Sequence, residues 1–383
     1  MNFENLKTLI ECYEDNLDLI YNSEHDELFK WRAVQHFRDV WYAPENEGLN
    51  FAQRFNKAKK ESSVLIDNSR VSPSNGVVKI AEVAEQEVKH LFFDVLLADD
   101  GGDIAVRQKN METFLEGMEA LRIKHYPQCW KYKQDRHAAS CYLCFFAPDD
   151  NFIYHYTEVE EFAQHIEYGI DIGSGENFKL DAYYKMCDEV IAVLRESTSL
   201  LDKQNKLIGT DEYYSDPSLH LLAFNLIWCS NTYNFYKGMT HISKKESIQE
   251  YTLAKLQEQE QAELEAKRNA LLDEIKQLEL DMEPCKYIRL IGVQVNDRIT
   301  GDVGTIVAQK MNQITVLYKQ TGTKTYIINK KYIARPRFED DDEIVDAFTE
   351  YDEKQAKLRI LYKELENYGK RGTPIIRSTT DVS

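Results

Sequence analysis

Residues 243–283 contain neither glycine nor proline, and Leu264, Leu271 and Leu278 recur in them at intervals of seven. Ile275 and Met282 supply a second apolar seam, which Gln261 and Arg268 interrupt. Such spacing predicts a long helix with one stripe that must be covered by another helix. At 1.5 Å per residue it would run roughly 60 Å. A second pattern of the same kind follows over 340–369, where Ile344, Tyr351, Leu358 and Leu365 are again seven apart. Gly369 is a fitting stop, and the tail 370–383 is expected to be disordered. Two stripes of matching period predict an antiparallel helical hairpin, a short coiled coil in which each helix covers the other.

What lies between them is not helical. Residues 285–338 alternate by twos, as in Gln313-Ile-Thr-Val-Leu-Tyr318, and are punctuated by turn signals at Gly301-Asp-Val-Gly304 and Thr321-Gly322. Strands are expected near Val293–Val295, Thr305–Val307, Gln313–Tyr318 and Lys324–Ile328, with five short strands in all. That spacing suits an SH3-like barrel at the tip of the hairpin. Val293, Val295, Ile306, Ile314, Val316 and Ile327 would form its inner face.

Residues 1–240 read as one mostly helical domain. Trp31, Val34, Phe37 and Trp41 share a helical face, as do Ile80, Val83, Ala84, Val88, Leu91 and Phe92. Ser72–Gly76 and Asp99–Asp103 read as breaks. The aromatic, β-rich run Ala139–Phe146, then Ala-Pro-Asp-Asp-Asn, then Phe152–Tyr156 predicts a β-hairpin near 139–156. Thr157 with Glu160 three residues on reads as the cap of a helix to about Tyr168. Helices are expected at about 179–207 and 217–237. The fold class is thus mainly α with a small all-β module.

Charge narrows the function. The chain carries a net −18, yet Lys286–Phe338 holds ten Lys/Arg against Asp297 and Asp302, a net +8 that leaves −26 elsewhere. A basic module on an acidic body is the footprint of a polyanion contact. Lys319, Lys324, Lys330, Lys331, Arg335 and Arg337 are the candidate nucleic-acid-binding residues, expected on one exposed face opposite the apolar one. The alternative partner is an acidic protein surface. There is no apolar run of membrane length, and the acidic, amphipathic N-terminus is not a signal peptide. Seven cysteines without a dense framework suit a reducing, cytoplasmic setting.

Catalytic signatures are missing. No phosphate-binding loop, nucleophile elbow, zinc-protease or dinucleotide motif occurs. Cys141-Tyr-Leu-Cys144 is a lone pair of thiols; on a strand the two would face opposite sides, so no metal is expected there. Pro148-Asp149 reads as turn chemistry and not the start of a nuclease motif. Asp211, Glu212 and Asp216 read as caps. Phe224, Trp228, Tyr233, Phe235 and Tyr236 read as core. No cofactor is expected. A further alternative is an enzyme with an unfamiliar site around the 139–156 segment and its histidines, His155 and His165.

Two resemblances add to this. The glycine and strand pattern of 290–333 resembles the KOW/Tudor-like barrels found on many nucleic-acid-handling proteins. The spacing Trp31…Phe37…Trp41…Phe51…Phe55, with Lys133-Gln134-Asp135, Ser140-Cys-Tyr-Leu143, Pro148 and Phe152-Ile-Tyr154, resembles N-terminal regions fused to McrB-type restriction ATPases. The second resemblance covers about 28–240 and implies bacterial defence or DNA-associated work. The motor is absent from the sequence, so any nucleotide hydrolysis or cleavage would fall to a partner ATPase or nuclease chain.

Overall fold

The structure is a computed structural model that describes residues 1–282, 291–292, 294–297, 299–310, 313–327 and 342–371. Two units divide the chain, Met1–Leu253 and Ala254–Ser383. The fold is mainly α with one small β module.

The first unit is built from helices α1 (Phe3–Asp15), α2 (Leu17–Ile20), α3 (Phe29–Tyr42), α4 (Phe51–Ile66), α5 (Pro73–Ala81), α6 (Glu85–His90), α7 (Ile104–His125), α8 (Arg136–Phe146), α9 (Tyr156–His165), α10 (Leu180–Leu194), α11 (Thr198–Leu207) and α12 (His220–Thr232). Local chemistry starts several of them. Asn50 and Gln53 form a reciprocal capping box at α4, and the Asp103 and Asp135 carboxylates accept the first free amides of α7 and α8. Each satisfies a donor that the helix itself leaves unpaired.

Packing follows the predicted stripes. Trp31, Val34, Phe37 and Trp41 of α3 are all buried, and the Phe37 and Trp41 rings meet those of Phe51 and Phe55 on α4 and Phe145 and Phe146 on α8. Ile80, Ala84, Val88, Leu91 and Phe92 are buried too, but Val83 is 53% exposed. The reason is that α5 and α6 are separate helices with a bend at 82–84, followed by a π-turn at Leu91–Leu96. The stretch from Pro73 to Gly76 is the first turn of α5 and not a break before it: Pro73 takes the first position, where no amide is needed. Gly76 allows Tyr132 to lie against the helix, since a Cβ there would sit 2.6 Å from the Tyr132 carbonyl oxygen.

The expected β-hairpin near 139–156 does not form. Ala139–Phe146 belongs to α8, and Phe152–Tyr154 is irregular chain leading into α9. All eight residues from Ala138 to Phe145 are buried, so the segment shows no polar face. A helix covered on every side carries no period to distinguish it from a buried strand. The cap of α9 is His155 and not Thr157, and that helix ends at His165. The span expected helical over 179–207 is α10 and α11, broken at 195–197.

Helix α13 (Lys244–Met282) reaches into the second unit. Strands β1 (Gln294–Asn296), β2 (Val303–Lys310), β3 (Gln313–Tyr318) and β4 (Gly322–Ile327) form an antiparallel sheet in that order, and helix α14 (Asp342–Arg371) follows. Leu271, Ile275, Leu278 and Met282 are buried against Leu361, with Leu358, Leu365 and Tyr368 packed on them. Lys354 donates to the Asp281 carbonyl at 3.5 Å, and Lys357 pairs with Glu274 one to two turns further back, at 2.8 Å. Tyr362 OH also donates to Glu279, at 2.7 Å, so the two helices pack side by side. Leu361 and Tyr368 complete the second seam that Leu358 and Leu365 imply, while Leu264 is half-buried. The side chains of Ile344 and Tyr351 lie outside the described residues. Helix α14 continues through Gly369, which is not its stop. The expected tail from 372 onward also lies outside the described residues.

Candidate nucleic-acid interface

In the β module, Val295, Ile306, Ile314, Val316 and Tyr318 are buried on one face of the sheet. The strand period requires this: partners directly opposite share a face, and Ile306–Val316 and Gly304–Tyr318 are such pairs. A Cβ on Gly304 would meet Val316 Cγ1 at 2.4 Å and the Tyr318 ring at 2.8 Å, so glycine there makes room for that ring. Val293 and the Ile327 side chain lie outside the described residues. Of the five strands expected, four are described.

Asp297, one of only two acids in the module, is buried in the turn after β1. Its carboxylate accepts from the amides of Ile299 at 2.9 Å and Thr300 at 3.2 Å, and Tyr318 OH donates to it at 3.4 Å. These bonds hold the turn.

Of the six candidate contact residues, two are described. Lys319 is exposed in the turn between β3 and β4. Lys324 departs from the expectation of a basic face opposite the apolar one. It is paired directly across from Val316 and therefore stands on the same face, half-buried, with its ammonium 5.6 Å from the Tyr318 ring centroid. A half-buried lysine can lay its stem along apolar surface and keep its charge in water. The opposite face carries Thr305, Thr315, Thr323 and Thr325 with the partly exposed Val303, Val307 and Leu317. Lys330, Lys331, Arg335 and Arg337 lie outside the described residues.

The 139–156 segment, weighed as an alternative site, is now a helix and a loop. On α8, Cys141 and Cys144 stand three apart on neighbouring positions, not on opposite faces as a strand would place them. Both are buried, and burial pushes both thiols far above their ordinary range. The nearest base, His137, sits 3.9 Å from Cys141 Sγ but has each ring nitrogen against a carbonyl oxygen, Tyr154 at 2.8 Å and Leu65 at 2.6 Å. A buried thiol kept protonated, beside an imidazole already engaged, is a poor nucleophile. No group of three or more His, Cys, Asp or Glu among the described residues is arranged to hold a metal ion.

Other singled-out residues are structural. Asp149 accepts from Tyr214 OH at 2.7 Å and Ser218 OH at 2.9 Å, which clamps two loops. Asp216 caps α12 by accepting from the Leu221 and Leu222 amides, and also from the Trp31 indole; burial pushes its pKa up to about 7. Phe224, Phe235 and Tyr236 are core. A cleft of about 650 Å³ lined by His25, Asp26, Phe29, Arg32, Lys60, Glu61 and Val64 carries mixed charge, and Arg32 is already paired with Asp26 at 2.6 Å.

His155 gives a pH signature. Burial, with His137 beside it, holds its pKa down at about 4, and its Nδ1 contacts the Glu158 carboxylate. An unfolded histidine takes up its proton near pH 6.5. The folded chain resists that proton, so this contribution to stability is present above about pH 6.5 and is lost as pH falls toward about 4. Thermal melts of the parent should therefore shift downward over that window more than those of His155→Gln. Equal shifts in the two proteins would show that His155 charges as easily folded as unfolded.

In the helical unit, Lys124, Lys131 and Lys133 are exposed around the exposed Trp130, while Arg122 is buried and paired with Glu119. No protein-family model matches the chain, and no curated protein or solved structure matches it significantly. Among the described residues, no helix is long and apolar enough to cross a membrane.

Proposed function

We propose that the chain is a non-catalytic, nucleic-acid-associated protein whose β module is the contact element. One observation carries this reading: a +8 segment of ten cations in a chain that is otherwise −26. A phosphate backbone is the polyanion for which lysine and arginine clusters are generally suited. The resemblance of residues 28–240 to regions fused to restriction ATPases extends the reading to a defence component that works beside a separate motor or nuclease chain.

The test is fluorescence anisotropy of labelled DNA and RNA oligonucleotides with the full chain over a range of salt. Affinity should fall steeply with salt, and replacing Lys330, Lys331 and Arg335 with glutamate should flatten that dependence by about two to three units of log–log slope. No binding at about 50 mM salt would overturn the reading, because the electrostatic part of such binding is strongest there. An acidic protein surface would then become the partner to seek.

A further inference from the structure

The link between α7 and α8 is a short, firmly held turn. Tyr126 OH donates to the Lys79 carbonyl at 3.0 Å, and the Ser72 amide donates to the Lys131 carbonyl at 2.8 Å. Gln134 donates to the carbonyls of Pro73 and Tyr132 and accepts from the buried Tyr142 hydroxyl at 2.8 Å. The Tyr126 and Tyr132 rings meet edge to face at 5.6 Å. On this scaffold Trp130 is 57% exposed, and no ring among the described residues packs on it. Several large apolar side chains of this chain are exposed; Trp130 is presented by a turn bonded on both sides.

Its surroundings are cationic. Lys124, Lys131 and Lys133 are exposed and form no ion pair among the described residues, and the exposed Arg70 stands two residues from Ser72 on the loop bonded to the turn. Of the acids around them, Glu119 pairs with Arg122 and also feels the Lys133 charge, Glu82 pairs with Lys79, and Asp135 and Asp67 bond the first turns of α8 and α5. This contrasts with the unit as a whole, where residues 1–253 carry 26 Lys/Arg against 42 Asp/Glu, a net −16. An exposed indole among exposed cations matches the chemistry of single-stranded nucleic acid, whose unpaired bases offer ring faces between phosphates.

We propose that the Trp130 turn binds single-stranded nucleic acid, with Trp130 as a stacking platform and Lys124, Lys131, Lys133 and Arg70 facing phosphates. The inference extends the nucleic-acid reading to the helical unit, and it rests on that reading for the class of ligand only. Trp31 and Trp41 are buried, Trp228 is half-buried, and residues 254–383 hold no tryptophan. Intrinsic fluorescence therefore separates this surface from the β module.

The experiment titrates the full chain with oligo(dT), oligo(U), a DNA duplex of equal length and anionic lipid vesicles, and reads tryptophan emission together with oligonucleotide anisotropy. Single strands should quench the emission, and Trp130→Phe should remove the quench. Trp130→Ala should weaken binding by about tenfold, the loss of one stacked base. Lys131→Glu with Lys133→Glu leaves the ring in place and should weaken binding and reduce its salt dependence. Quenching by DNA or RNA single strands alike supports the proposal. Binding seen by anisotropy without quenching overturns it and leaves the β module as the contact. Absence of any binding overturns both. An emission change with vesicles but not with oligonucleotides assigns the turn to lipid and overturns it as well.

Discussion

Replacing Glu27 with alanine is expected to destabilise the helical unit by about 3–5 kcal/mol, because it strands a buried ammonium. Lys30, in the first turn of α3, has no solvent exposure, and its Nζ contacts the Glu27 carboxylate and Asn225 Oδ1, the latter at 2.6 Å. Three ring centroids surround the charge: Phe29 at 5.0 Å, Trp228 at 5.2 Å and Phe224 at 6.0 Å. The network runs on. Tyr233 OH donates to Glu27 at 2.9 Å, Asn225 donates to Tyr13 OH at 2.7 Å, and Tyr21 OH donates to Gln204 at 2.8 Å. It therefore ties α1, α3, α11 and α12 together. Taking away the carboxylate leaves the ammonium with a neutral acceptor and aromatic faces, which together do not replace water. Substituting both partners, Glu27→Leu with Lys30→Met, should cost less than Glu27→Ala alone, since an apolar pair leaves no buried charge. Denaturant unfolding read through Trp31 and Trp228 measures both. A loss under about 1 kcal/mol for Glu27→Ala would mean that Lys30 reaches water, against the burial found here.

That cluster shows where sequence reading stops. Nothing in Phe29-Lys30-Trp31 marks the lysine as buried, and only tertiary packing places it between α3 and α12. By contrast, the seam of Leu271 and Leu278 against Leu358 and Leu365 was legible, because a seven-residue period admits few other partners. The inner residues of the β module were legible for the same reason: Ile306, Ile314 and Val316 obey the period of two. The failure at Ala139–Phe146 has a physical cause, since a helix buried all round displays no period. Asp135 was the available cue, being a carboxylate just ahead of the run that caps α8 through the Ala138 amide at 2.9 Å. Among the candidate contact residues, Lys319 stands in the turn after β3 and not on the face expected for it. Lys324 does not lie on that face either, because the register across from Val316, and not composition, decides its face. Trp130 was unmarked for a different reason: a tryptophan in a sequence gives no sign of whether its ring is covered.

Phe92→Ala is expected to cost about 3–5 kcal/mol, the range for emptying a buried aromatic site. Phe92 lies in the π-turn after α6 and is fully buried. Its ring centroid is 5.0 Å from Phe114, 5.3 Å from Phe51 and Tyr142, and 5.7 Å from Phe55, so it joins α4, α7 and α8 at one point. The edge-to-face contacts with Phe114 and Phe55 add to the burial itself. Collapse into the gap is resisted because the neighbours are rings fixed on helices and not adaptable chains. Phe92→Leu fills part of the space and should lose less than the alanine variant, while Val83→Ala, at an exposed position of the same segment, should change stability by no more than about 0.5 kcal/mol. The comparison is made by denaturant midpoints at constant slope. Equal losses for alanine and leucine would place the effect in the backbone of the π-turn, and a small loss for both would mean that Phe92 does not hold these helices together.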